Sequence, residues 1–187
     1  MPEAEVALRL GFWLLDHEGP SSHVDIALDG AHVRVRSHRA SSRIVKDRQV
    51  FDIETFLREN GCSQTPGATD WRGEYIRRGS TLSIKSARGF DVRAIREGRA
   101  IGVECKGGPL QTIKGRSPRA ILAIAIGQAI TDPSASKVRE IWVAVPDSSQ
   151  FERAGRTIAS TPAFVKTGIR IALVGGKDEV RFLSDGL

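Results

Sequence analysis

The sequence predicts an α/β protein with a mixed central β-sheet flanked by helices. Strand patterns crowd between residues 74 and 106, where short alternating runs are broken by turn residues. A helix start follows at Ser117-Pro118, a capping serine with proline in the first turn, ahead of the apolar run RAILAIAIGQAIT. Beyond that run, strand and helix patterns alternate, which favours an α/β or mixed α+β sheet over an all-β or all-helical fold.

The elements can be taken in order. Residues 4–15, AEVALRLGFWLL, place Val6, Leu10, Trp13 and Leu14 at helical spacing. HVDIALDGAHVRVR, 23–36, alternates on both sides of Asp29-Gly30 and predicts a β-hairpin with a primed turn. SHRASSRIVKDRQ, 37–49, is polar and basic and reads as a linker. Residues 1–48 are therefore expected to form a small N-terminal helix-plus-hairpin appendage, and residues 49–187 the main domain. Phe51 to Asn60 is a predicted helix closed by Gly61. Strands are expected at Glu74–Arg78, Thr81–Lys85, Phe90–Ile95 and Arg99–Lys106, the last two joined by a Glu97-Gly98 turn. RAILAIAIGQAIT reads as a helix, although its isoleucine content also suits a buried strand. EIWVAVP, 140–146, is a buried strand ended by proline, Ser148–Ser160 a helix, and Ile169–Val174 and Val180–Leu183 two last strands.

Composition narrows the function classes. The net charge of +6 and pI near 9.8 favour an anionic partner. The charge is concentrated: from Arg72 to Arg119 twelve Lys/Arg face four acids, a local net of +8. MPEAEVALRL lacks the basic and apolar segments of a signal peptide, and the longest apolar run, Ala120 to Ile126, is too short to span a membrane. A soluble, cytoplasmic chain is expected. Cys62 and Cys105 have no CxxC spacing, which argues against a disulfide framework or cysteine zinc site and for a reducing compartment. His17, His23, His32 and His38 show no paired metal spacing, and the glycines after Lys106 do not form a phosphate-binding GK[ST] loop. Trp13, Trp71 and Trp142 are read as core or interface residues, with Trp71 beside Arg72 the one to examine for base stacking.

The chemistry concentrates in AIGVECKGGPL, 100–110. On a strand, Ile101, Val103 and Cys105 share one face and Gly102, Glu104 and Lys106 the other, so a carboxylate and an ammonium stand about 6.6 Å apart on one side. If residues 90–95 and 99–106 pair through Glu97-Gly98, Asp91 falls near Glu104 at the same end of the sheet. Two carboxylates can hold a hard ion such as Mg²⁺, with Mn²⁺ a substitute and the Cys105 carbonyl a further possible ligand. The ion would activate water and stabilise phosphate charge, and Lys106 would orient or deprotonate that water. An ExK tripeptide alone means little, since it arises by chance about 0.7 times in a chain of this length. The apolar strand before it, the glycines after it and the neighbouring Asp91 set this one apart.

GFDV at 89–92, IGVECK at 101–106, IGQAI at 126–130 and IWVAVP at 141–146 together resemble the PD-(D/E)xK nucleases. The resemblance spans residues from about 50 to 175 and implies a restriction-endonuclease-like fold. It places Asp91 as the first acid, Glu104 as the second, Lys106 as the lysine and Gln128 as the glutamine often found on the following helix. It also implies a glutamate on a helix before the sheet, for which Glu54 and Glu59 are candidates, or Glu74 in the long gap before Asp91. Phe90 stands where the family name has proline.

The expected function is a Mg²⁺-dependent nuclease hydrolysing DNA phosphodiesters, of restriction, repair or junction-resolving type. Arg88, Lys114, Arg116 and Arg119 are the expected phosphate contacts. One site cuts one strand, so duplex cleavage implies a homodimer or a partner subunit. RNA remains open as a substrate. The rival is a non-catalytic nucleic-acid-binding module, or a nuclease subunit needing a partner, distinguished by whether divalent-metal binding depends on Asp91 and Glu104.

Overall fold

The computed structural model describes residues 1–18, 22–28, 33–34, 51–68, 70–86, 88–108 and 117–183. They form an α/β fold around a nine-stranded mixed sheet. Its strands are β1 (His23–Leu28), β4 (Ser63–Gln64), β5 (Gly73–Arg77), β6 (Ser80–Ser86), β7 (Val92–Arg96), β8 (Arg99–Cys105), β9 (Glu140–Pro146), β10 (Arg170–Val174) and β11 (Val180–Phe182). They lie in the order β11-β10-β9-β8-β7-β1-β6-β5-β4. Two short strands, β2 (Val33–Arg34) and β3 (Phe51–Asp52), pair separately.

The centre of the sheet positions the site. β1, β7 and β8 run as antiparallel neighbours, and β9 lies parallel to β8. Two-residue turns close the β5–β6 and β7–β8 hairpins. Arg78-Gly79 and Glu97-Gly98 all have positive φ, the primed geometry that matches strand twist.

Alternation along the strands divides the core into two layers. On one face Val24, Ile26, Val92, Ile101, Val103, Cys105, Trp142 and Ala144 pack under α1 (Glu3–Glu18) and α2 (Ile53–Glu59). On the other, Phe90, Val143, Val145 and Ile171 pack under α3 (Pro118–Thr131), α4 (Ser149–Ala159) and α5 (Pro162–Val165). Serine side chains cap two of these helices: Ser117 Oγ accepts the Ala120 N–H, and Ser148 Oγ the Phe151 N–H. The isoleucine-rich run at 119–131 is thus a helix.

The N-terminal expectation is corrected. β1 and β2 do not form a hairpin, because both edges of β1 are occupied, by β6 in parallel and β7 antiparallel. Val33–Arg34 pairs instead with Phe51–Asp52. Nor are α1 and β1 an appendage. In α1, Val6, Ala7, Leu8, Leu10, Phe12, Leu14 and Leu15 are all buried, as expected of a helix apolar around most of its circumference. A boundary at residue 48 would cut through this core. The Asp29-Gly30 turn and the 37–49 linker lie outside the described residues. Trp71 is buried, with the Arg72 guanidinium 4.5 Å over its ring, so its face is already covered.

Gly102 leaves room for Phe90: a methyl added there would overlap the Phe90 ring, which is fully buried on the α3 face. Gly102→Ala is expected to destabilise the fold by about 1–3 kcal/mol through overpacking. Urea unfolding checks this; an unchanged midpoint would show that the ring yields without cost.

Candidate functional site

The β7–β8 register pairs Val92 with Val103, which brings Asp91 beside Glu104 where the ladder ends. Asp91 is fixed on both sides. Its carbonyl accepts the Ala27 N–H at 2.8 Å, and its carboxylate Oδ2 accepts the Cys105 N–H at 2.7 Å. Glu104, only 7% exposed, accepts a hydrogen bond from Lys106 Nζ at 2.7 Å. Lys106 stays on the strand path because its N–H donates to the Ala144 carbonyl of β9. Asp91, Glu104 and Lys106 all line one cleft of about 420 Å³.

The third acid there is Glu3, in the first turn of α1, with Oε1 3.4 Å from Lys106 Nζ. The sequence does not point to it, since local pattern sets residues 1–48 apart as an appendage. The signal available was the helix itself, apolar on nearly every side and opening with Glu3 and Glu5. Gly107 and Gly108 explain the approach. A Cβ on Gly107 would stand 2.7 Å from the Glu3 nitrogen and 3.1 Å from the Met1 carbonyl, and the Gly108 N–H donates to that carbonyl. The glycine exit from β8 thus lets the start of α1 lie against the site.

Gln128, Thr131 and Asp132, at the C-terminal end of α3, complete the cleft wall. Gln128 is where the sequence placed it; Asp132 was not foreseen. Arg88 precedes Gly89 at the rim, and its carbonyl accepts from Arg93. Arg119 is not at the cleft: it stands in the first turn of α3, about 13 Å along the helix from Gln128, in a separate depression with Arg153. Lys114 and Arg116 lie outside the described residues. Glu54 and Glu59 belong to α2 and Glu74 to β5, and none lines the cleft. Cys105 contributes only main chain, since its thiol is fully buried on the α1 face and burial raises its pKa well above the ordinary value.

The electrostatics follow from burial. Desolvation, reinforced by the Glu104 charge, pushes Asp91 up to about 7 against the opposing Cys105 hydrogen bond. Desolvation also raises Glu104, with Lys106 pulling the other way. Burial opposes the Lys106 charge, but Glu3, Glu104 and Asp91 outweigh it and hold the ammonium above the ordinary lysine value. Among the described residues, no three His, Cys, Asp or Glu side chains form a ready-made metal cage. A Mg²⁺-like ion does not require one, because it commonly takes one or two carboxylates and fills its shell with water and phosphate oxygens. Two adjacent carboxylates that burial drives toward protonation fit such an ion, whose charge would relieve both.

Comparison with protein-family models, curated proteins and solved structures gave no significant match. No helix among the described residues is long and apolar enough to cross a membrane.

The raised Asp91 pKa sets a pH dependence for the metal-free protein. The folded state holds this proton more tightly than the unfolded chain, so its stabilising contribution is complete below about pH 4 and lost as pH rises toward 7. Asp91→Asn, which keeps an acceptor for the Cys105 N–H, is expected to be the more stable protein at pH 8, by on the order of 1–3 kcal/mol. The gap should close toward pH 4. Denaturation at both pH values in EDTA measures it, and a gap independent of pH would contradict the assignment.

Proposed function

We propose that this chain is a metal-dependent nuclease of the PD-(D/E)xK type, with the restriction-endonuclease-like form of the α/β fold, hydrolysing DNA phosphodiester bonds. The observation that carries the reading is the convergence of Asp91 and Glu104 from adjacent strands on one cleft with Lys106, all three held by short hydrogen bonds. The strand, carboxylate pair, lysine and Gln128-bearing helix occur in the order the sequence resemblance implies.

Asp91 and Glu104 would hold Mg²⁺ or Mn²⁺ through their carboxylate oxygens, with the Cys105 carbonyl a further candidate. The ion, when bound, supplies a Lewis acid and lowers the pKa of coordinated water. The protein's own contributions are distinct. Asp91 Oδ2 accepts the Cys105 N–H, which fixes the carboxylate at the end of β8 beside the cleft. Lys106 is held in its charged form by three carboxylates, which suits it to donate a hydrogen bond to the attacking water and offset charge on phosphorus. Glu3 holds the ammonium from the α1 side and orients it. Gln128 borders the space the phosphate would enter. Arg88, next in sequence to the cleft residue Gly89, and the basic segment before α3 would contact neighbouring phosphates. One such cleft cuts one strand, so cleavage of both strands calls for a second copy or a partner subunit.

Supercoiled, linear, single-stranded and junction DNA, with RNA alongside, incubated with Mg²⁺ or Mn²⁺, tests the reading. Cleavage is expected with wild type and should fall at least 100-fold in Asp91→Ala, in Lys106→Ala and in EDTA. Glu3→Gln should lose roughly 10- to 100-fold, as expected for a residue that positions another. Chelator-insensitive, salt-dependent DNA binding without cleavage would instead favour the binding-module reading.

A further inference from the structure

A second depression lies beside the cleft, with a volume of about 630 Å³. Its floor is Ile95, Ala100 and Val138, and Ile95 is 64% exposed on the middle of the sheet. Its charged rim is mainly cationic. Lys137 is exposed and Arg93 half-buried, and neither has a carboxylate in ion-pair range among the described residues. Arg93 also keeps a buried Nε with no hydrogen-bond partner. The one acid lining the groove among the described residues, Asp25, is already engaged by Lys85 at 2.6 Å and His23 at 3.1 Å.

The groove and the cleft share a wall. Arg93 Nη2 donates to Ser134 Oγ at 3.1 Å and to the Arg88 carbonyl at 3.2 Å. Ser134 in turn donates to Asp132, which faces the cleft. Gly89, with φ of +73°, sits against this network, and a Cβ there would run into the Arg93 guanidinium. An apolar floor with unpaired cations above it complements a nucleotide: sugar and base on the floor, phosphate at the rim. The volume lies within the range of about 300–1,000 Å³ usual for small-ligand sites.

We propose that this groove holds a nucleotide of the DNA strand being cut, next to the scissile phosphate, with its phosphate on Arg93 and Lys137 and its sugar or base on Ile95, Ala100 and Val138. The inference rests on the nuclease reading and deepens it, since it assigns the strand a path from the acid cleft across the β7 side of the sheet. Arg93 also ties the wall to α3, so the exposed positions Ile95 and Lys137 give the cleaner test.

The test is fluorescence anisotropy of a labelled single-stranded 12-mer in EDTA, with wild type, Ile95→Glu, Lys137→Gln and the remote control Lys166→Gln. Thermal melts confirm that each variant is folded. Ile95→Glu is expected to weaken binding about tenfold by placing a carboxylate on the floor. Lys137→Gln should reduce the salt slope by about one, and Lys166→Gln should bind like wild type. In the Mg²⁺ assay, Ile95→Glu should raise KM with kcat within about twofold. Wild-type affinity and salt slope in both groove variants would overturn the groove assignment while leaving the nuclease reading to stand on Lys106→Ala. Wild type that neither binds nor cuts DNA would overturn both.

Discussion

One hydrogen bond, from the Cys105 N–H to the Asp91 carboxylate, organises the end of the sheet that carries the acid cleft. The β7–β8 ladder stops at the Val92–Val103 pair. Past that point the Asp91 main chain turns its carbonyl to Ala27 on β1, and its side chain takes over the bond to β8. A single residue therefore joins three strands where their ladders end. The same geometry carries the carboxylate out of water and next to Glu104, so its raised pKa follows from the structural role.

That arrangement is costly if stability is all it serves. Glu104 has Lys106 as a hydrogen-bonded partner, whereas Asp91 accepts from a backbone N–H, and the Glu104 charge repels it more than Lys106 offsets. A buried ion pair contributes little net stability, and an uncompensated neighbour subtracts from it. Apolar residues would serve the sheet better here, as they do one layer away at Val103 and Val143, both fully buried. Phe90 over Gly102 closes the α3 face beneath the acids and leaves the cleft as their route to solvent. Two buried carboxylates opening onto one cleft are the feature on which the proposed cation site rests.

The second half of the chain was legible because its local and tertiary preferences agree. The Ser117 and Ser148 caps, the Glu97-Gly98 turn and the continuous apolar run of β9 each specify their element without help from distant residues. Spacing across one hairpin was also enough to bring Asp91 to Glu104. The N-terminal region was misread because alternation in HVDIALDGAHVRVR reports which face is buried but not which strand pairs. β1 takes its partners from residues 81–86 and 92–94, which no local pattern reveals. With β1 misplaced, α1 was separated from the core, and Glu3 was lost from the site. The upstream acids that the resemblance implies, Glu54, Glu59 and Glu74, stand on elements that do not line the cleft.

The C-terminal end of α3 joins the two halves of this picture. Gln128 and Thr131 face the acid cleft, Asp132 ends the helix, and Ser134 passes the connection to Arg93 beside the groove. The helix is pinned at its far end by the Ser117 cap and along its length by Leu122, Ala125 and Ala129 against the sheet. Its position relative to β7 and β8 is therefore set by core packing and not by the polar wall itself. A packed helix that carries residues of both depressions fixes their spacing, because cores resist small displacements. On the proposed nuclease reading, fixed spacing between the carboxylate pair and the neighbouring cation would hold a polyanion in one register during attack. The apolar pattern of IGQAI holds Gln128 at the acids and the following turn at Arg93.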